Sequence, residues 1–156
     1  MEVTSAMTSL GNISYLDQPM HAFVCSRTTR SSVILPCLDR AAVQSRGATP
    51  IISTFHSEME VAVLDVLLRG TCPIVMVLGR RLYKRLPEKL RPALSSGRLL
   101  IVSISENSRI SRETALAANC FIAQKAERIT VGFIAPDSTL QEIIHDTQPK
   151  NIITLK

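Results

Sequence analysis

The chain has no tryptophan, and aromatic residues fill only 4% of its 156 positions. A core must therefore be assembled from Leu, Ile, Val and Ala. Long apolar runs are missing too. The longest, such as Ile74 to Leu78, suit buried strands and fall far short of the roughly 20 residues of a membrane-crossing helix. The N-terminus shows no basic region followed by an apolar one, so no secretory signal is expected. Cys25, Cys37, Cys72 and Cys120 are widely spaced and form no C-x-x-C pair, which argues against a zinc site. They read as buried, reduced thiols, and a cytoplasmic location is expected. Glycine is scarce, at six residues, and no G-x-G-x-x-G or P-loop pattern is present, which speaks against a standard dinucleotide or ATP cradle. There is no H-x-x-H, H-E-x-x-H, carboxylate cluster or G-x-S-x-G elbow, so no metal, cofactor or catalytic constellation is expected.

What the chain does have is 46% hydrophobic content, enough for one domain with a real core. It also has a formal net charge of +5 and a sequence isoelectric point near 9.3. That balance is compatible with a polyanionic partner without proving one. Residues 1–20 are polar, rich in Ser and Thr and without period, and read as a loosely ordered lead-in with a short turn around Leu10 to Leu16. From residue 21 to 156, strand-like runs alternate with helical patterns. Strands are expected at Ala22 to Ser26, Pro50 to Ser53, Ile74 to Gly79, Leu99 to Ile104, Ile129 to Ile134 and Ile152 to Leu155. They are mostly continuous apolar runs, as strands covered on both faces are. Helices are expected over Ser32 to Gln44, Ser57 to Leu68, Pro87 to Leu94, Ser111 to Lys125 and Thr139 to His145. In the first of these, Val33, Leu35, Leu38, Ala42 and Val43 lie toward one side. The expected fold is a single three-layer, doubly wound α/β domain of Rossmann-like type, with a mainly parallel sheet of about six strands.

Ligands of such sheets gather at the carboxyl ends of the strands. After the first strand come Ser26, Arg27 and Arg30, which suit either an anion site or a solvated basic loop with a helix cap. After the second, at Ser53, comes "TFHSEME". Ser57 and Glu60 form a capping box, which accounts for both without chemistry. Glu58 and Glu60 would oppose a phosphate at this helix start. His56 sits between strand and cap, where it is either structural or a ligand-facing group. After the third strand, "GRRLYKRLPEKLRP" packs Arg80, Arg81, Lys84, Arg85, Lys89 and Arg91 around Tyr83. Basic residues beside an aromatic suit a phosphodiester and a stacked base, and a solvated helix face is the plain alternative. Arg109 and Arg112 follow the fourth strand and extend a basic rim.

In their order and spacing these motifs resemble the DNA-processing protein A (DprA/Smf) family, and most closely its small stand-alone bacterial relatives. "FVCSR" is similar to that family's first-strand G-S-R, with Cys25 in place of glycine. "STFHSEME" stands at its S-G-x-x-x-G-I-D and is closer to the relatives' G-F-H-S-P-M-E. "AANCFIAQKAERITVGFIAPDSTL" resembles its R-N-R-x-I-A…A-D segment. Of R-N-R only Asn119 remains, Ala118 and Cys120 replacing the arginines. Thr54 and Glu58 replace glycines. The resemblance runs from His21 to Leu155. It implies a Rossmann-like domain that binds single-stranded DNA and cooperates with a recombinase, with Ser26, Arg27 and Asn119 among its contacts. Two further functions stay open. One is a sensor or weak hydrolase of a nucleotide or nucleotide derivative, using Ser26, Arg27, His56 and Glu60 in the same cleft. The other is an adaptor that forms a homodimer or docks on a protein, with Leu82 and Tyr83 exposed.

Overall fold

The computed structural model describes residues 7–26, 31–135, 140–141, 143 and 151–155. Seven strands form one sheet: β1 (Thr8–Gly11), β2 (Met20–Val24), β3 (Ile51–Ser53), β4 (Ile74–Leu78), β5 (Leu99–Ser103), β6 (Ala126–Val131) and β7 (Asn151–Thr154). Their spatial order is β1-β5-β4-β3-β2-β6-β7. All neighbours pair in parallel except β1, which lies antiparallel on β5. Between the strands run α1 (Ser31–Ser45), α2 (Glu58–Leu68), α3 (Arg91–Ser95) and α4 (Arg112–Lys125). The chain steps outward from β2 to β5, then returns to lay β6 and β7 on the other side of β2. This is the doubly wound, Rossmann-like plan, with its reversal between β2 and β6.

The apolar runs are continuous because alternate residues feed two cores. Phe23, Ile51, Ile74, Met76, Leu99 and Ile101 face one side, together with Cys37 and Ala41 of α1 and Met59, Val63 and Leu67 of α2. Ala22, Val24, Ile52, Val75, Val77, Leu100 and Val102 face the other, with Ala118, Ile122 and Ala123 of α4. Leu140 and Ile143, both helical, are buried in that second core. The rest of the helix expected at Thr139 to His145 lies outside the described residues.

Three expectations need correction. The first is that the stretch up to residue 20 is a loose lead-in: its described residues contain the strand β1, while the short turn expected around Leu10 to Leu16 is present as a 3₁₀ turn, Ile13–Asp17, capped by Asn12. All four residues of β1 are exposed, so no apolar alternation betrays the strand. The second concerns α1, which buries Val33, Cys37, Ala41 and Ser45 and leaves Leu35 64% and Val43 63% exposed. Apolar residues surround that helix, so its inward stripe could not be read from hydrophobicity alone. The third is the start of β6, which begins at Ala126, directly after α4, and not at Ile129. A bulge between Met20 and His21 in the β2–β6 ladder leaves the polar pair Glu127–Arg128 at the strand's start.

Arg98 is absorbed by the scaffold. Its guanidinium donates to the carbonyls of Leu68 at 2.6 Å and Cys72 at 2.8 Å, closing the negative end of α2.

Candidate nucleic-acid interface at the strand ends

The carboxyl ends of β2 and β3 are bound together from inside by one side chain. Glu60, 3% exposed, is the third residue of α2. It completes the capping box with Ser57, whose Oγ accepts from the Glu60 N–H at 3.3 Å. Its Oε1 accepts from the Thr54 hydroxyl at 2.8 Å, the His56 N–H at 3.0 Å and the Ser57 N–H at 3.3 Å. Its Oε2 accepts from the Cys25 N–H at 3.0 Å. Burial pushes the carboxyl pKa upward, and these donated hydrogen bonds pull against it. The link to Cys25 spans 35 positions, so sequence spacing gave no sign of it.

The neighbouring hydroxyls are also turned inward. Ser53, fully buried, accepts from the Phe55 N–H at 3.1 Å. Ser26 is 7% exposed and its Oγ accepts from the Ala135 N–H at 2.8 Å. Past the strand ends, β2 and β6 stay joined by Gly132 N–H to the Val24 carbonyl at 3.0 Å and Ser26 N–H to the Phe133 carbonyl at 2.7 Å. At Gly132 a Cβ would lie 3.0 Å from both Cys25 Sγ and Cys37 Sγ, so glycine lets α1 close on the sheet there. At these strand ends the described polar groups are thus engaged with one another or with backbone N–H groups. Arg27 and Arg30 lie outside the described residues. His56 is exposed. It follows Phe55, a non-glycine residue with a left-handed φ of 49° whose ring is buried; that turn directs the chain outward at the β3 exit.

The carboxyl end of β4 is different. Gly79 allows the first turn of α4 to close on it, since a Cβ there would lie 2.9 Å from the Thr114 carbonyl. The exit loop is stitched to that of β5: Ser103 Oγ donates to the Arg80 carbonyl at 2.6 Å, and Arg81 N–H to the Asn107 carbonyl at 2.8 Å. These bonds fix the backbone of the loop. Arg80 stacks its guanidinium over Tyr83 at 4.5 Å from the ring centroid, and the Tyr83 hydroxyl meets Met76 Sδ at 3.9 Å. Tyr83 and Leu82 are half-buried and pack on the core beneath, which removes them as a freely exposed docking patch. Arg81, Lys84 and Arg85 are exposed. Lys89 pairs with Asp65 at 3.1 Å and Arg91 with Glu88 at 3.5 Å, whereas Arg80, Arg81, Lys84 and Arg85 form no ion pair among the described residues. Arg109 and Arg112, after β5, are exposed. Arg112 opens α4, where a cation is disfavoured by the helix dipole.

Asn119 is not part of this rim. It lies seven residues into α4 from Arg112, roughly 10 Å down the helix axis. Its Nδ2 donates to the Ala115 carbonyl at 3.0 Å, and its Oδ1 is buried with no partner among the described residues. The structure therefore ties Ser57 to Glu60 in the capping box, turns Ser26 and Ser53 onto backbone N–H groups of their own, leaves the His56 side chain exposed, and holds Arg80, Arg81 and Lys84 on an open basic rim.

No family model matches the chain, and no curated protein sequence matches it. Solved structures do. The X-ray structure of DNA processing protein A (DprA) from Streptococcus pneumoniae matches with a TM-score of 0.77 at 16% identity, over 95% of this chain and 54% of that one. A DNA processing protein A structure from Helicobacter pylori, described for its single-stranded DNA binding mode, matches with a TM-score of 0.73 at 14% identity, over 95% of this chain and 70% of that one. The fold is DprA-like, and the chain spans about half the length of the pneumococcal protein.

Proposed function

We propose that this chain is a non-catalytic, DprA-like module that binds single-stranded nucleic acid along the basic rim at the ends of β4 and β5. The observation that carries this reading is the set of cations without an ion pair among the described residues, Arg80, Arg81, Lys84 and Arg85, held on a fixed loop around Tyr83 at the sheet's carboxyl edge. Guanidinium and ammonium groups meet phosphates, and the Arg80–Tyr83 stack gives a flat surface on which a base can lie. The fold shared with a DprA that binds single-stranded DNA points the same way. Arg27 and Arg30 are further contacts under this reading. Under this reading Ser26, Ser53 and Ser57 contribute framework and not phosphate contacts, because their hydroxyls already accept from the N–H groups of Ala135, Phe55 and Glu60.

The test is fluorescence anisotropy with a fluorescein-labelled oligothymidylate at low salt. Binding in the micromolar range or tighter is expected. Joint substitution Arg80→Ala, Arg81→Ala and Lys84→Ala should weaken it about tenfold or more. No anisotropy change for the parent chain, or no loss in the triple variant, would sink the proposal. A nucleotide or nucleotide derivative is the second reading, favoured by one observation: His56 stands exposed beyond the left-handed Phe55. A nucleotide at about a hundred times its Kd should then stabilise the chain by about 2.7 kcal/mol, and His56→Ala should abolish that shift.

A further inference from the structure

At the opposite, amino-terminal end of the strands a groove of about 480 Å³ opens between the second half of α1 and the starts of β2 and β3. His21, Asp39, Arg40, Gln44 and Thr49 line it, over a floor of Ile51. Its volume falls within the range of small-molecule sites, as does its make-up of an apolar floor with a few convergent polar groups. The feature that distinguishes it is Arg40. Its Nε donates at 3.0 Å to the hydroxyl of Thr130, a residue 1% exposed in the neighbouring strand β6. That bond fixes the plane of the guanidinium. It also leaves the end-on pair of Nη groups, which have no acceptor among the described residues, as a ready-made fork. A planar fork of this kind matches the two oxygens of a carboxylate or phosphate.

We infer that this groove is a second ligand site, which takes a small carboxylate or phosphate on the Nη fork of Arg40. The local charges permit it. Arg128 is the β6 register partner of His21, is half-buried, and forms no ion pair among the described residues. Two carboxylates oppose an anion. Glu127 is occupied, its Oε1 3.5 Å from His21 Nε2. Asp39 lines the groove as well, but it is exposed, so water screens its charge, and as the helix neighbour of Arg40 it does not face the guanidinium directly. Thr49 and Gln44 supply a hydroxyl and an amide to hold the remainder of a polar ligand. The groove lies at the other end of the sheet from the basic rim, so the inference stands apart from nucleic-acid binding.

Heteronuclear NMR titrations of the full chain with sodium phosphate and with sodium acetate, against sodium chloride at matched ionic strength, test it. Saturable shifts are expected at the Arg40 Nε–H and at the amides of Gln44, Thr49 and Thr130, and the stronger of the two anions names the class. Arg40→Lys keeps the charge and loses the fork, and should weaken the saturable response roughly fivefold or more. Thr130→Val, which preserves shape and removes the anchoring hydroxyl, should weaken it in the same direction. Both variants should leave oligonucleotide anisotropy unchanged. Shifts at Arg40 no different from the chloride control, or an Arg40→Lys chain that responds fully, would overturn the assignment.

Discussion

Glu60 shows how a residue that reads as a helix cap becomes a joint between two strands. The capping box was visible as Ser57 followed by Glu60, but the same carboxylate also receives Cys25, Thr54 and His56. Replacing it with Gln keeps the size and turns one acceptor into a donor. If the amide nitrogen takes the Oε2 place, it faces the Cys25 N–H, and one buried donor is left without an acceptor. A loss of about 1–3 kcal/mol is expected. Ala strands every donor and removes the box, and should cost more than Gln does. Urea unfolding of both variants measures this, and equal stability of parent and Glu60→Ala would refute the joint. The thiols give a second expectation, for pH. Burial pushes Cys37 and Cys72 up to about 11 from an ordinary 9.0. In the unfolded chain these thiols release their protons first, so the folded state binds more protons between those values. Their contribution to stability is fully present below pH 9 and is lost as pH rises toward 11. A melting temperature that falls over that window in the parent, and falls less in Cys72→Ser, is the expected result.

At the level of elements, legibility followed burial. The six strands expected from the sequence all exist, because strands covered on both faces must be apolar throughout, and Ile74–Leu78 and Leu99–Ser103 are buried at every position. β1 lacked that mark because an edge strand needs only backbone partners, and its Thr-Ser-Leu-Gly sequence buries nothing. Likewise the inward face of α1 was hidden by Ile34, Leu35 and Val43 on its outer side. The candidate site was legible as a place, the strand ends, and as a basic rim. What spacing could not show was which polar groups turn inward, since Glu60–Cys25 and Ser26–Ala135 are long-range contacts. The missed strand carries its own prediction. Gly11 has a φ of 107°, and a Cβ there would fall on the Leu99 carbonyl. Gly11→Ala should therefore cost about 2–4 kcal/mol. It should also speed hydrogen exchange along β5, the partner that β1 covers. Unchanged exchange at β5 would mean that β1 contributes little to holding that edge.

Across the whole molecule, a net charge of +5 matters less than where cations cluster without a carboxylate partner among the described residues. Arg98 is spent inside the scaffold, on carbonyls at the end of α2, and Lys89 and Arg91 have carboxylate partners. Arg80, Arg81, Lys84 and Arg85, with Arg109 and Arg112 beyond them, are left on one edge of the sheet. Among the described residues no helix is long and apolar enough to cross a membrane. A nucleic acid lying along it would displace condensed counterions from each phosphate neutralised. If about five phosphates are met, the logarithm of the association constant should fall with the logarithm of salt at a slope of about −3.5 for a single strand. Raising salt from about 50 mM to about 200 mM would then weaken binding about 100-fold. Removing Arg80, Arg81 and Lys84 should flatten the slope by about 2, whereas Glu60→Gln should lower stability and leave the slope unchanged. A steep slope that survives the triple substitution would place the contacts elsewhere on the chain. A flat slope in the parent would mean that phosphates are not what this rim recognises.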